Sequence, residues 1–282
     1  MDASGHDLTA MLQSLLDQLA VNPNADLDIA EIGLWIARDV YPDLDIPIYL
    51  SRLDDLADQL RPKLFGSFRS RIATFAEFLF VEQGFTGNVA EYYDPRNSCL
   101  NEVLDRKLGI PISLSVLAMA VGERVGLPIQ GIGLPGHFVC MARQGSDTVF
   151  IDPYHEGRLL GFADCERLVQ QVTGMRIVVD DETVEPIALS RIVLRMMSNL
   201  KAIYLQTDQF ALGAQISERL ARLVPDDLTQ LRDMGVLWVN AGQLGKAISP
   251  LERYLREEPD ADDHDTVKRI LQDARTRLSE WN

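Results

Sequence analysis

Apolar residues recur at intervals of three and four over the first third of the chain, the period of a helix with one buried face. Leu8, Met11, Leu12, Leu15, Leu16 and Leu19 form such a stripe over residues 8–20. Ile29, Ile32, Trp35, Ile36 and Val40 form a second over 27–40, and Pro42 closes it because proline cannot continue a helix. Tyr49, Leu50, Leu53, Leu56, Ala57 and Leu60 predict a third helix, and Ile72, Phe75, Phe78, Leu79 and Phe80 a fourth over 69–82. Phe75, Phe78 and Phe80 read as core rather than as a cofactor pocket, since phenylalanine is among the most buried residues. Gly84 to Asn88 breaks the pattern. Tyr92 to Ser98 (YYDPRNS) then reads as an ordered loop of turn formers, with Asn97 or Ser98 placed to cap a helix over 99–107. Gly109 suits the end of that helix and Pro111 the first turn of the next. From Leu114 to Val125 the chain is apolar on most sides, which predicts a central, buried helix.

The period then changes. Ile129–Leu134, His137–Met141 and Thr148–Asp152 read as short strands, the first two joined by a Pro135-Gly136 turn. Alternation puts His137 and Val139 on one face and Phe138 and Cys140 on the other, so Cys140 is a poor partner for His137. Asp152 ends a neighbouring strand, where a carboxylate can hold the His137 ring in one tautomer. A helix over 162–172 and two extended connectors follow, and the pattern is helical after Ser190. Pro225 and Pro259 lie 34 residues apart, and the same offset matches Tyr204 to Trp238, Phe210 to Leu244 and Gly213 to Ala247. Gly235, Trp238, Gly242, Ala247, Leu251 and Pro259 follow the tetratricopeptide pattern. A last helix over 266–281 is expected to cap the stack through Val267, Ile270, Leu271, Ala274 and Leu278.

Composition narrows the possible partners. With 282 residues and 46% hydrophobic content, a packed core is within reach, and a net charge of −15 argues against nucleic acid or an anionic membrane. Cys99, Cys140 and Cys165 are odd in number and match no zinc spacing, as expected of reduced thiols in a cytoplasmic protein. The first residues carry no basic segment and no continuous apolar core, so no signal peptide is expected. No cofactor is implied.

The strings NSCLNEVLDRKLGIPISLSVL, GLPGHF and FIDPYHEG resemble the SirB-like branch of the transglutaminase-like superfamily, which usually carries tetratricopeptide-like repeats at its C-terminus. The resemblance covers the chain from about Leu27 onward. It implies an α+β, mostly α fold: a helical N-terminal region (1–88), a transglutaminase-like (papain-like) core (89–189) and tetratricopeptide-like helical hairpins (190–282). Active members of the superfamily open a helix with Gly-x-Cys and place a His on one strand and an Asp on the next. His137 and Asp152 match the His and Asp. Gly109-Ile110-Pro111 stands where Gly-x-Cys is expected, so Pro111 occupies the nucleophile position, and proline cannot attack. The resemblance also places Tyr92, Tyr93, Arg96 and Asn97 near the same cleft, although an architectural loop accounts for them equally well.

Three rescues of catalysis can be weighed. Ser113 at a helix N-terminus makes a Ser-His-Asp arrangement conceivable, against an ordinary first-turn serine that satisfies backbone donors. Cys99 sits at another N-terminus able to lower a thiol pKa, against a small buried apolar residue. His137, Asp152 and His155 are a loose metal set with no further ligand in view, and a loop His155 is the simpler reading. The sequence therefore favours a non-catalytic scaffold that binds a protein or peptide, over a peptide or amide hydrolase or acyl transferase using Ser113 or Cys99.

Overall fold

The computed structural model describes the backbone of residues 3–280 and the side chains of residues 10–280. Helix α1 spans Ala3–Val21 and buries Leu12, Leu15, Leu16 and Leu19. Met11 of the predicted stripe is exposed, and the Leu8 side chain lies outside the described residues. Helix α2 (Ile29–Arg38) starts where the Asp28 carboxylate accepts the Ala30 N–H at 2.7 Å, which satisfies one of the donors a helix leaves open. Asp45 caps α3 (Ile46–Leu60) in the same way. Helix α4 (Phe68–Glu77) runs into a π-helical turn, Phe78–Glu82. Phe78, Leu79 and Phe80 of this turn are all buried.

The segment predicted as a break contains strand β1 (Thr86–Gly87). Helix α5 (Leu100–Arg106) follows, with Cys99 at its N-cap and no side-chain cap, where Asn97 or Ser98 was the expectation. The left-handed residue that ends α5 is Lys107 (φ 61°), not Gly109. Gly109 belongs instead to β2 (Leu108–Gly109), which pairs in parallel with β1. Its lack of a side chain matters for packing: a Cβ there would lie 2.8 Å from Ser113 Oγ and 2.9 Å from Leu114 Cγ. The buried helix α6 spans Pro111–Arg124, with proline in its first turn as predicted.

Strands β3 (Ile129–Leu134), β4 (His137–Gln144), β5 (Asp147–Asp152) and β6 (Arg158–Leu160) form an antiparallel sheet in that order. Leu134 pairs with His137 across Pro135-Gly136, and Gly136 takes φ +72°, the proline-then-glycine signature of a type II turn. Strand β4 extends three residues beyond its predicted end because Ala142, Arg143 and Gln144 pair with Val149, Thr148 and Asp147. The three residues of β6 are too short for a period to show. Ile132, Leu134, Val139, Met141 and Phe150 form one face of the sheet, packed with Cys165 and Val169 of α7 (Phe162–Thr173). On the other face Cys140 Sγ lies 3.7 Å from the Ser115 carbonyl of α6.

Helices α8 (Leu189–Gln206), α9 (Phe210–Leu223), α10 (Thr229–Asn240), α11 (Leu244–Glu257) and α12 (His264–Glu280) complete the chain. Gly235 lets two helices approach closely: a Cβ there would lie 2.4 Å from Leu251 Cγ. Trp238, Leu251, Tyr254, Val267 and Leu271 share one core. Trp281, the predicted end of α12, lies outside the described residues.

The chain divides into two compact units, Met1–Ala25 with Met197–Asn282, and Asp26–Met196. This partition differs from the three consecutive regions of the sequence reading. Helix α1 packs on α9, a choice that an apolar stripe does not reveal because it names no partner. Among the described residues no helix is long and apolar enough to cross a membrane.

Candidate functional site

The predicted site residues fall into two groups, both in the unit formed by residues 26–196. One surrounds the start of α6. Pro111 is the first residue of that helix, and its ring leaves no nucleophile at the position. Ser113 is buried, and its hydroxyl is fully used. Oγ accepts the Ile110 N–H at 3.1 Å and donates to the Asn97 carbonyl at 2.6 Å. Asn97 is also buried. Its amide nitrogen donates to the Glu91 carbonyl at 2.7 Å and the Tyr92 carbonyl at 3.2 Å, while its oxygen accepts from Asn88 at 3.0 Å. This closed network ties the YYDPRNS loop to α6. Arg96 stands at its margin, half exposed, with its guanidinium on the Asp94 carboxylate at 2.7 Å.

Cys99 is buried, and loss of water pushes its thiol up to about 12, with Glu102 and then Asp94 adding to the rise. Cys140 and Cys165 are raised to about 12 for the same first reason. A thiol held neutral in this way is neither a nucleophile at neutral pH nor a ready metal ligand.

The second group lies at the ends of β4 and β5. His137 Nε2 and Asp152 Oδ1 are 3.0 Å apart, and both residues are buried. Asp152 takes a second imidazole, His155 Nδ1, on its other oxygen at 2.7 Å. Burial alone would raise the Asp152 pKa. The hydrogen bond and charge of His137, then those of His155, outweigh it and hold the carboxyl below its usual range. The predicted His–Asp pair therefore forms, and His155, read as a plain loop residue, joins it. The signal for His155 was the Asp-x-x-His spacing on a turn, too common to identify a site alone. Among the described residues no side-chain hydrogen bond links His137 to α6.

Aromatic rings border this second group. Tyr154 meets His137 edge-on at 6.5 Å, His155 at 5.2 Å and Tyr92 at 6.0 Å, and Tyr92 meets Tyr93 at 5.2 Å. Tyr92 and Tyr93 are 40% and 62% exposed, so this ladder leads from the buried pair to solvent. Nearby, the half-buried Arg195 guanidinium lies 5.2 Å from the centre of the Phe138 ring. Its pKa is lowered by burial, with Tyr92 acting in the opposite direction. The sequence reading did not single out Tyr154 or Arg195, since nothing local in the chain brings them to His137 and Tyr92.

With this geometry the class is a transglutaminase-like core joined to tetratricopeptide-like helices. The transglutaminase-like superfamily profile matches residues 48–198, and the tetratricopeptide repeat profile matches residues 200–272. The chain belongs to the transglutaminase-like superfamily and, within it, to the UPF0162 (SirB-like) family. A UPF0162 protein of Xylella fastidiosa is 32% identical over 268 residues, covering 93% of this chain and 95% of its own. A Vibrio cholerae UPF0162 protein is 24% identical over 192 residues, covering 68% and 71%. The human F-box only protein 21 is 30% identical over 134 residues, covering 44% of this chain and 20% of its own. Among solved structures, that of menin, which revealed its binding site for the Mixed Lineage Leukemia (MLL) protein, aligns with a TM-score of 0.51. The alignment covers 97% of this chain and 67% of menin at 11% identity, a likeness of fold alone.

Proposed function

We propose that this protein is a non-catalytic scaffold that binds a protein or peptide through the cleft beside His137 and Asp152, through its tetratricopeptide-like helices, or through both. The observation that carries the reading is the start of α6, where Pro111 takes the nucleophile position and Ser113 donates its one hydroxyl proton to the Asn97 carbonyl. A serine nucleophile must give that proton to a base. Cys99, the other candidate, is buried with a raised pKa. The surface near His137 offers what a peptide-binding site needs instead: exposed Tyr92 and Tyr93 and the half-buried Arg195 guanidinium. Tyrosine and arginine dominate binding energy at protein interfaces. Tetratricopeptide repeats generally mediate protein–protein contacts, and menin, of the same fold, binds a protein. The acidic surface and buried thiols favour a cytoplasmic setting.

Two measurements test the reading. Fluorophosphonate and iodoacetamide probes are expected to label the native chain no more than its His137→Ala variant, and His137-dependent labelling overturns the scaffold reading. A photo-crosslinking residue at Tyr93 is expected to trap a discrete protein or peptide from native lysate, and Tyr92→Ala is expected to reduce the yield at least about tenfold, the loss of one aromatic anchor. An unchanged yield removes the cleft from the proposal.

A further inference from the structure

Of the four histidines in the chain, two converge on one carboxylate. His137 Nε2 and His155 Nδ1 lie 3.0 and 2.7 Å from opposite oxygens of Asp152, and the three donor groups lie within 4.8 Å of one another. A zinc-sized ion bonds imidazole nitrogen at ~2.0–2.1 Å and carboxylate oxygen at ~2.0–2.2 Å, so its donors stand roughly 3–4 Å apart. The two His–Asp separations are already at or near that spacing. The longest separation in the set closes by less than about 1 Å through rotation of one side chain, His155, whose side chain is 54% exposed.

Two of the donors are held in place before any ion arrives. His137 and Asp152 are buried at the start of β4 and the end of β5, held by pairing to Leu134 and Arg158. The turn that carries His155 is built to one shape. Pro153 opens it, Glu156 and Gly157 both take left-handed conformations (φ 55° and 68°), and the chain then returns as β6. At Gly157 this shape is obligatory, because a Cβ would lie 2.2 Å from Phe80 Cδ2. The Tyr154 ring stands edge-on to both imidazoles. Asp152 and His155 also line a cavity of about 170 Å³ with Arg158, Asp164 and Arg167, which gives an ion a path from solvent.

The geometry points to a mononuclear divalent-metal site formed by His137, Asp152 and His155. Two imidazoles and one carboxylate favour zinc and its borderline neighbours such as cobalt(II) over calcium or magnesium, which prefer all-oxygen cages. Three protein donors leave a position for an oxygen donor, a water in the simplest case. Binding changes no oxidation state. In the metal-free protein each ring donates the N–H that faces the ionised Asp152; on binding, that proton leaves for solvent or for the ring's other nitrogen, the freed lone pair goes to the metal, and the carboxylate stays ionised. In the sequence these three residues form a loose set with no further ligand in view; among the described residues the fold adds no fourth side chain but brings the three donors together. The inference is independent of the scaffold proposal, since a structural ion and a peptide cleft can coexist or exist singly.

The test uses the full chain freed of metal with a chelator and titrated with Co²⁺, whose visible spectrum reports tetrahedral nitrogen–oxygen coordination, and with Zn²⁺ by calorimetry. The expected result is one ion per chain. His155→Ala is the deciding variant because its side chain is half exposed and its loss leaves the core intact, which circular dichroism verifies. It is expected to weaken both ions at least about tenfold, no less than the loss of a supporting residue costs at known sites. His264→Ala, at a histidine outside the cluster, is expected to leave binding unchanged. Absence of stoichiometric binding by the native chain, or a His155→Ala loss below tenfold, overturns the site.

Discussion

The start of α6 and the ends of β4 and β5 both gather polar side chains, yet they use them in opposite ways. Around α6, Ser113, Asn97 and Asn88 satisfy one another and the backbone, and each is buried. At the strand ends, His137 and Asp152 are equally buried, but their cluster reaches solvent through His155 and a ladder of tyrosines. A closed polar network fixes one conformation, and an open one keeps donors for something else. The start of α6 is spent on architecture, while at the strand ends His137 and Asp152 stand together with His155 beside them.

The sharpest way to break this contrast is Asn97→Ala. It leaves the buried Asn88 amide unpaired and frees the part-buried Glu91 and Tyr92 carbonyls, so a loss of about 2–3 kcal/mol is expected by urea unfolding, from ~1–3 kcal/mol for a buried group left unpaired and less for the two that water can reach. A loss below about 1 kcal/mol would show that the network is not closed. Ser113→Ala comes next. It unpairs the Ile110 N–H and the Asn97 carbonyl and is expected to cost about 2 kcal/mol, with no change in any binding activity of the cleft.

A pH profile sharpens the picture of the sealed side. Burial holds the thiols of Cys99 and Cys140 up to about 12, against 9.0 for an ordinary thiol. The unfolded chain therefore ionises first. Stability from these groups is complete below pH 9 and falls as pH rises toward 12, by about 1.4 kcal/mol per pH unit for each thiol. Urea titrations at successive alkaline pH values measure the slope, and a Cys99→Ala, Cys140→Ala double variant is expected to flatten it. The smallest effect on stability is expected at the open end. His155→Ala should cost less than about 1 kcal/mol by thermal unfolding in chelator, because the His155–Asp152 contact is half exposed. The two ends thus separate by assay: α6 variants change stability, and His155 changes metal binding.

Much of the fold was legible because apolar period is a local property. Helices α2, α3, α7 and α11, strands β3 and β5, and the buried character of α6 all follow from spacing and from proline and glycine. The elements that escaped have no period to read. Strands β1 and β2 hold two residues each and exist through a parallel pairing across residues 86–109, and the π turn at Phe78–Glu82 changes the register within an apolar run. The site divides in the same way. His137 and Asp152 were legible from strand alternation together with the family strings. The fate of Ser113 was not, because its proton goes to a carbonyl 16 residues earlier.

Sequence alone determined that a proline, Pro111, opens α6, since that is a matter of residue identity. It also determined the tetratricopeptide-like tail, whose repeat is written in spacing. Tertiary structure alone decided that α1 packs with the C-terminal helices, that Asn97 and Ser113 seal one another, and that His155 shares Asp152 with His137. The reason is physical: a period or a residue type acts over one turn or one strand, whereas a hydrogen bond or an ion ligand set requires atoms within about 3 Å, a distance only the folded chain sets.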